Sequence, residues 1–554
     1  MNSAKRRSIP QQVHVTSSQD KAVLKATNLM SHGHHSLALS ILEGVIEQSP
    51  DHFLACLNRG ICLFALGRHQ EASKQLYAAH LKAPKDYRVL QLCGESHLAA
   101  GYFEMAIEFL KRCVKVKPDE ASNWKNLSIA AGKSGQLVES TMYATQALSL
   151  APLDSSSYVN LGTTLLSLLK LDEAEQAYQT ALAIDPTNVI AIGNLATVLE
   201  KRGEYKLSSE QYEKAYSMMD PNSQETKELL YRSSHALLGA GILRKGWQRY
   251  EYGFYSNDRT SRNPKRHFPF SQWTGEPLGS NKSLLVWGEQ GLGDELAFYG
   301  LLNEVRDRCQ NVTVECDRRL VSILQRAFPE ILVHATDLKK PIVQGEHDFH
   351  IPAGSLMGIF RNDISDFKKF KPYIKPDSQL KNEFHTRLMP FREKKLVGIC
   401  WRSGRTDARR NQHYLPLSDL SQLLSNPDLT FVNLQYGDCE RELAAAEEAL
   451  NIKILRWQDV DLKNDQESLA ALISNLDAVI SPAIAVRQMA AAIGVKLIVF
   501  GVRGWDWFGE KKYPWSDEIC FITPEDGQEL NAVVPKVCET LRTLITDDVS
   551  KIDL

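Results

Sequence analysis

The stretch LLVWGEQGLGDELAFYGLL, residues 284–302, decides the fold of the second half of this chain. Four apolar residues (284–287) precede a loop that contains Gly288, Gly291 and Gly293, and apolar residues at helical spacing follow it. Strand, glycine-rich turn and helix form the opening unit of a doubly wound α/β domain. The loop after the first strand of such a domain faces the ligand crevice, and glycines let its backbone approach a ligand.

The spacing within this loop separates several chemistries. A phosphate-binding P-loop requires GxxxxGK followed by Ser or Thr, and the loop contains no lysine. The dinucleotide pattern GxGxxG is incomplete, because Leu296 occupies the third glycine position and Asp294 would place a carboxylate beside the diphosphate. Asp317, the acid after the second apolar strand, leaves the nicotinamide interpretation weakly supported. Asp294 is predicted to accept a proton from an acceptor hydroxyl, to cap the helix, or to do both.

Composition excludes several classes of protein. The 554 residues are 43% hydrophobic and 24% charged, as in ordinary globular proteins of three or four domains. Lys and Arg number 65 against 67 Asp and Glu, so no overall basic charge favours nucleic-acid binding. The ten cysteines form no CxxC pair, which gives no zinc or thioredoxin-like site and favours a reducing, cytoplasmic location. No apolar run has the length of a signal peptide core or a transmembrane segment.

The first half of the chain repeats every 34 residues, the period of the tetratricopeptide repeat (TPR). A small residue is followed twelve positions later by proline at Ala38/Pro50, Ala72/Pro84, Ala106/Pro118, Ser140/Pro152 and Ala174/Pro186. Small residues allow helices to cross closely, and each proline ends the second helix of a pair. A sixth repeat and a degenerate helical unit extend the array to about residue 255.

A stacked array of helix pairs presents a concave groove suited to an extended peptide or a partner helix. Protein recognition is the favoured role of this groove, and a structural spacer or a self-association surface is the alternative. Four asparagines on one phase of the repeat are predicted to bind a peptide backbone with their amides, or else to be solvated or to satisfy local turns: Asn58, Asn126, Asn160 and Asn194.

The remainder of the chain reads as two α/β domains. After the loop come apolar strands such as VTVEC (312–316) and, beyond a proline-containing crossing, LVGICW (396–401), TFVNLQ (430–435) and DAVIS (477–481). The predicted fold is therefore α plus α/β. Its predicted parts are a disordered tail (1–20), the TPR solenoid (21–255), a docked linker (256–280) that contains the aromatic run FPFSQW (268–273), and Rossmann-like domains at 281–375 and 376–554.

A series of blocks carries a resemblance to a known family. GW-x-x-YE (246–251), W-x-G-x-PL (273–278), LLVWGEQGLGDE, VGICWRSG, VNLQYGD and LDAVIS follow one another in order. Together they resemble bacterial proteins that fuse TPRs to a GT-B glycosyltransferase domain similar to heptosyltransferases. The plan also resembles the O-GlcNAc transferase family and the repeat-bearing flagellin glycosyltransferases. The resemblance covers nearly all of the chain after residue 20.

The resemblance implies roles for particular residues. Asp294 would be the general base, in an acceptor-side loop with Gly291, Gly293 and Glu295. The second domain would bind a nucleotide-sugar donor through Arg402, Ser403, Arg405 and Gln435. Neither a metal nor a separate cofactor is implied, because a helix dipole and cations offset the charge of the leaving diphosphate.

One departure from the family pattern concerns the helix after DAVIS. The family has an Asp-Thr and a His at its start, whereas here Ala483 and Gln488 stand in the places of the Asp and the His. Ile484, Arg487 and the helix N-terminus remain to hold the donor phosphates. The predicted activity is transfer of a sugar to a hydroxyl of a protein bound by the repeats. A non-catalytic scaffold with a degenerate transferase domain, and a transferase for a lipid-linked or polysaccharide acceptor, are the alternatives.

Overall fold

The structure, a computed structural model, describes residues 17–256, 261–339, 343, 345–404, 413–515, 519–525 and 528–546. The chain divides into two compact units, residues 1–198 and 199–554.

The first unit is a stack of antiparallel helix pairs. Its helices are α1 (Ser18–Ser31), α2 (His35–Gln48), α3 (Phe53–Ala65), α4 (His69–Lys82), α5 (Tyr87–Ala99), α6 (Phe103–Val116), α7 (Ala121–Lys133), α8 (Leu137–Leu150), α9 (Ser155–Ser167) and α10 (Leu171–Ile184), and α11 (Val189–Lys201) runs across the division between the units. The second helix of each pair ends two residues before its proline, because proline disfavours helical backbone in the residue that precedes it. The TPR solenoid predicted from the 34-residue period is therefore confirmed.

Glycines mark the points where the two helices of a pair come closest. A Cβ atom on Gly60 would lie 2.6 Å from Leu76, and one on Gly162 would lie 2.7 Å from the ring of Tyr178. Both contacts join residues sixteen positions apart, so the same packing recurs along the array. The glycine that recurs at this position of the repeat is thus a packing residue.

Further helices open the second unit, before any strand. They are α12 (Tyr205–Tyr216), α13 (Gln224–Gly239), α14 (Leu243–Tyr250) and a short 3-10 helix (Glu251–Tyr255). Trp247 of α14 is buried, and its indole N–H donates to the carbonyl of Arg361 at 2.7 Å. This helical segment therefore packs on the first α/β domain.

Two parallel sheets follow. The strands of the first are β1 (Ser271–Gln272), β2 (Ser283–Trp287), β3 (Asn311–Cys316), β4 (Leu332–Ala335) and β5 (Phe349–Pro352), in the order β1-β5-β2-β3-β4. Those of the second are β6 (Lys395–Ile399), β7 (Leu429–Asn433), β8 (Ile454–Leu455), β9 (Ala478–Pro482), β10 (Leu497–Phe500) and β11 (Ile519–Ile522), in the order β11-β10-β9-β6-β7-β8.

Helices cover the faces of these sheets. In the first domain they are α15 (Leu292–Tyr299), α16 (Leu302–Arg306), α17 (Val321–Ala327) and α18 (Leu356–Phe360). In the second they are α19 (Ser378–Leu388), α20 (Ser421–Leu424), α21 (Glu440–Leu450), α22 (Gln466–Ile473), α23 (Ala485–Ile493) and α24 (Val534–Ile545). The central strands are apolar and buried on both faces, which is the pattern of a parallel sheet between helix layers. The predicted pair of Rossmann-like domains is confirmed.

The aromatic run 268–273 lies along the first sheet. Its residues Ser271 and Gln272 form the edge strand β1, which pairs with β5. The Phe268 ring stacks on His350 of β5 at 4.2 Å between ring centroids. The sequence pattern did not reveal β1, because a two-residue strand has no measurable periodicity.

Candidate functional site

The loops at the carboxyl ends of strands from both sheets enclose a cleft of about 950 Å³. The residues that line it include Gln290–Glu295 after β2, Asp317 and Arg319 after β3, Ser403 and Gly404 after β6, Tyr436 and Gly437 after β7, and Ala483–Gln488 after β9. This is where open α/β sheets bind ligands, because the loops and helix N-termini of parallel strands converge there. Most of the residues singled out in the sequence meet in this cleft.

Helices α15 and α23 touch at their N-terminal turns. A Cβ atom on Gly293 would lie 3.2 Å from the Cα of Ala485, tighter than most real contacts. Glycine on one helix and alanine on the other therefore permit the approach. Two helix N-termini, each with a partial positive charge, border the same cleft.

Asp294 is the third residue of α15. Its Oδ2 accepts a hydrogen bond of 3.1 Å from the N–H of Gly291, which caps the helix, so the predicted capping contact is present. The side chain is exposed to the cleft, yet the surrounding walls remove water from it and raise the pKa of its carboxyl above the usual value. The hydrogen bond and the charge of Arg487 oppose that rise. A carboxylate of raised pKa beside an open cleft can serve as a general base.

Glu295 is buried beneath the loop. Its Oε2 accepts a hydrogen bond of 2.8 Å from the N–H of Asp317, and burial raises the pKa of its carboxyl to about 8. Gly288 provides room for this side chain, since a Cβ there would lie 2.3 Å from Glu295 Oε1. Glu295 therefore ties the loop after β2 to the loop after β3.

Arg487, on the first turn of α23, is a buried cation of the cleft wall whose hydrogen bonding is incomplete among the described residues. Only 8% of the residue is exposed, and neither Nε nor Nη1 has a hydrogen-bond partner among the residues that the structure describes. Its Nη1 lies 3.5 Å from Asp506 Oδ2, and the guanidinium lies 5.6 Å from the ring centre of Tyr513. Because a buried donor without a partner costs about 1–3 kcal/mol, this geometry fits a group that completes its bonding with an anion.

The neighbours of Arg487 on the same turn are mostly apolar or uncharged. Ala483, Ile484 and Gln488, which the sequence predicts to bind the donor, line the cleft. Ile484 is the N-cap residue of α23, and its apolar side chain cannot accept a hydrogen bond from the first N–H groups of the helix. Free N–H groups beside a guanidinium form an anion-binding position.

Two of the residues predicted to bind the donor are engaged elsewhere. Arg402 pairs with Glu442 of α21 and donates from Nη2 to the carbonyl of Asp438 at 2.8 Å. Gln435 is 1% exposed, and its Oε1 accepts hydrogen bonds from the backbone N–H groups of Trp401 and Arg402. Both side chains thus shape the loop after β6. Arg405 lies outside the described residues, and Ser403 lines the cleft.

Other polar groups in the cleft were not identified from the sequence. Arg319 forms a bidentate pair with Asp317, with contacts of 2.7 and 2.8 Å, and donates from Nη1 to the carbonyl of Lys463 at 3.1 Å. Asp317, which supported the nicotinamide interpretation, is therefore occupied by a cation. Lys463 also lines the cleft. The position of Arg319 directly after a strand was the available signal.

In the repeats, the four asparagines fall into two classes. Asn58 donates to Thr27 Oγ1 at 2.9 Å, and Asn194 donates to Thr163 Oγ1 at 3.2 Å. The side chains of Asn126 and Asn160 make no hydrogen bond within the described part of the chain. The first pair thus links neighbouring repeats, whereas the second pair makes no such link within the described residues.

Neither a metal cluster nor a membrane helix is found in the part of the chain that the structure describes. No three His, Cys, Asp or Glu residues there are grouped in a way that would hold a metal ion. No helix within the same residues is long and apolar enough to cross a membrane.

Comparisons with known proteins agree with this architecture. Family models described as tetratricopeptide repeat match residues 23–87, 87–120 and 155–188. Over 517 residues the chain is 26% identical to Protein FlbA of Caulobacter vibrioides, which covers 89% of this chain and 79% of that protein. Over 207 residues it is 26% identical to BBSome complex member BBS4 of Mus musculus, covering 37% of this chain and 33% of that protein.

One solved structure resembles part of the chain. A tetratricopeptide repeat protein from Parabacteroides merdae is 13% identical, with a TM-score of 0.38, and the match covers 44% of this chain and 94% of that one. The matched family models lie within the helical repeats, and the α/β strands follow them. The chain is a tetratricopeptide-repeat protein with a C-terminal α/β region.

Proposed function

We propose that the α/β region is a metal-independent glycosyltransferase that moves a sugar from a nucleotide-sugar donor to a hydroxyl of a protein acceptor. The observation that carries this proposal is the pairing of functions in one cleft. A carboxylate of raised pKa, Asp294, lies on the wall contributed by one sheet. An under-bonded guanidinium, Arg487, lies with a helix N-terminus on the wall contributed by the other.

The proposed reaction uses these two walls for different charges. The acceptor hydroxyl gives its proton to Asp294 as its oxygen forms a bond to the anomeric carbon of the sugar. The bond between that carbon and the donor phosphate oxygen breaks, and its electron pair leaves with the nucleotide. Arg487 and the N–H groups of α23 stabilise the developing negative charge. The raised pKa makes Asp294 a stronger base than an ordinary aspartate near neutral pH.

In this proposal the TPR groove supplies the acceptor. Asn126 and Asn160 would hold the backbone of an extended peptide, since an amide can donate and accept at once. Repeat arrays commonly present such grooves to protein segments. The family models that match the repeats support a protein-binding role for this half of the chain.

A non-catalytic scaffold is the second candidate, and a specific observation favours it. Ala483 and Gln488 replace the polar groups that the resembled family has at the start of α23, and Arg402 is committed to Glu442. Under this alternative the cleft would be a remnant and the repeats would provide the function. A transferase for a lipid-linked or polysaccharide acceptor would keep the cleft chemistry but have no use for the groove.

The test begins with nucleotide-sugar binding. Purified full-length protein is screened by thermal shift against UDP-, GDP-, CMP- and ADP-linked sugars, because a ligand of the folded state raises the melting temperature. Release of free nucleotide from the stabilising donor is then compared between wild type and Asp294→Asn. The variant should bind the donor normally and turn it over about 10²–10⁴-fold more slowly.

Asp307→Asn is the matched control, since Asp307 is an exposed acid of the same domain outside the cleft. Unchanged turnover in Asp294→Asn would remove its role as base. Absence of any shift with all four donor classes would favour the scaffold. Transfer to saccharide or lipid-linked acceptors with no protein capture by the chain would favour the third alternative.

A further inference from the structure

Among the described residues, the most buried cation outside the cleft belongs to the segment between the helices and the first α/β domain. Arg262 is 1% exposed. Its guanidinium lies between two aromatic rings, 4.6 Å from the ring centre of Tyr250 and 4.2 Å from that of Phe254. In the sequence this residue is one of several basic residues of the predicted docked linker, together with Lys265 and Arg266.

Arg262 donates its hydrogen bonds to groups around the loop that follows β2. Its Nε donates to Glu289 Oε2 at 2.7 Å, and its Nη2 donates to the other oxygen of the same carboxylate. Its Nη1 donates to Glu251 Oε1 at 2.7 Å, and Nη2 also reaches Ser355 Oγ at 3.0 Å. Glu289, which is 2% exposed, accepts a further bond of 2.9 Å from the N–H of Gly354. The pair is therefore fully bonded as well as buried.

The residue next to Glu289 is held from the same side. Gln290 has a left-handed backbone with φ of 66°, a conformation that a non-glycine residue adopts at a cost in free energy. Its Nε2 donates to the hydroxyl of Tyr250 at 2.6 Å, and its N–H donates to the carbonyl of Asn263 at 2.8 Å. A strained residue persists when its surroundings determine it, and here those surroundings are α14 and the linker.

The strained residue lies four positions before the proposed base, and it lines the same cleft. Gln290 is followed by Gly291, whose N–H holds the Asp294 carboxylate. A shift of the backbone at residue 290 would therefore be transmitted to the orientation of Asp294 through a single hydrogen bond. Displacements of about 1 Å at such positions reduce turnover about 100-fold.

We propose that Tyr250 and Arg262 are positioning residues for the loop 288–294, so that α14 and the linker belong to the functional unit of the α/β region. The proposal rests on the proposed function only where it concerns turnover, because loop order is measurable without a substrate. The helix and the linker fix the backbone, and Asp294 acts on the substrate.

The experiment measures amide hydrogen exchange of the peptide that spans 288–294 in the full-length chain. Tyr250→Phe removes the hydroxyl that holds Gln290 and keeps the ring beside Arg262. Exchange in the loop should rise about tenfold or more while exchange in the central strands β3 and β9 stays unchanged. Tyr252→Phe is the matched control, because Tyr252 belongs to the same helical segment and its hydroxyl makes no hydrogen bond to the described residues.

Arg262→Met tests the role of Arg262. If this buried substitution prevents folding, Gln290→Ala is used as the second variant in its place. Once a donor is identified, Tyr250→Phe should lower kcat about 10–100-fold with little change in the KM for the donor, whose proposed contacts lie on the other domain.

Loop exchange equal to wild type in both Tyr250→Phe and the second variant would overturn the proposal. Faster exchange with unchanged kcat would overturn its catalytic part. Failure of every nucleotide-sugar to bind would refute the proposed function, and the exchange data would still decide whether these residues hold the loop.

Discussion

Replacement of Arg487 by methionine should change stability and binding in opposite directions. The guanidinium is buried, and two of its nitrogens lack hydrogen-bond partners within the described residues. Methionine is of similar length and adapts to irregular apolar space. The variant therefore removes an under-bonded charge from the free protein and removes a cation from the proposed phosphate site.

The magnitude follows from the contacts. Two buried donors without partners cost about 1–3 kcal/mol each, and the variant recovers this. It loses the 3.5 Å pair with partly exposed Asp506, worth about 0–1 kcal/mol. It also loses the interaction with the Tyr513 ring, worth about 0.5–2 kcal/mol. The central values give an expected net gain of about 2 kcal/mol in the free energy of unfolding without ligand.

The same substitution should weaken binding of the nucleotide-sugar donor. Hydrogen bonds to a charged group contribute about 1.5–3 kcal/mol, which corresponds to about a 10–100-fold weaker Kd for the donor. The assay is urea unfolding with and without the stabilising nucleotide-sugar, and Arg503→Met is the control. Arg503 is exposed and packs on the Trp507 ring at 4.8 Å, away from the cleft lining.

A loss of more than about 2 kcal/mol in the free protein, combined with an unchanged ligand effect, would refute this reasoning. It would identify Arg487 as part of a structural ion pair. Equal effects of Arg503→Met on donor binding would show that total charge, and not the buried guanidinium, attracts the ligand.

Three further expectations concern pH, packing and the groove. The pKa of Glu295 is raised to about 8, so between about pH 5 and pH 8 the folded protein keeps a proton that the unfolded chain has lost. Relative to Glu295→Gln, the free energy of unfolding should therefore fall by up to about 1.4 kcal/mol for each unit of rising pH. Urea melts in which the two proteins show parallel dependence on pH would contradict this. Gly162→Ala places a methyl group 2.7 Å from the Tyr178 ring and should destabilise the repeats by about 1–3 kcal/mol. Gly44→Ala lies in mid-helix, where the methyl group meets nothing within 4 Å, and should stabilise the repeats by about 0.5–1 kcal/mol. Equal unfolding midpoints of the two variants would contradict the packing argument. Asn160→Ala should weaken capture of an acceptor peptide, measured by fluorescence anisotropy, at unchanged stability, whereas Asn194→Ala should affect stability first, and the reverse order would reject the division of the asparagines.

The fold could be predicted from sequence because its signals are local or periodic. Each repeat carries its own proline and small residues, and the long apolar runs of parallel strands need no partner to be recognised. The two strands that the sequence did not predict, β1 and β11, are short, with two and four residues. Pairing with a neighbour defines these strands, and pairing is not written in the local pattern.

The candidate site was predictable where the local backbone required a particular residue type, as at a tight turn or a helix cap. The glycines and the acid of the loop after β2 satisfy such needs. The ion pair of Arg402 could not be predicted, since its partner Glu442 lies forty positions later and the loop sequence alone suggests an unpaired cation. The ion pair of Arg262 was hidden for the same reason, since its partner Glu289 lies 27 positions later. Ion-pair partners across tens of residues are set by topology, and a single sequence does not contain them.

The two arginines that the structure distinguishes explain how the departure at α23 bears on function. Arg262 is buried with every nitrogen bonded to the protein, which is the state expected of a structural cation. Arg487 is nearly as buried, and two of its nitrogens are unbonded among the described residues. A degenerate cleft would gain stability by losing such a group, whereas a working one keeps it for a ligand. The persistence of an under-bonded Arg487 beside Ala483 and Gln488 therefore favours a rebuilt anion site over a remnant, and the sign of the stability change in Arg487→Met decides between them.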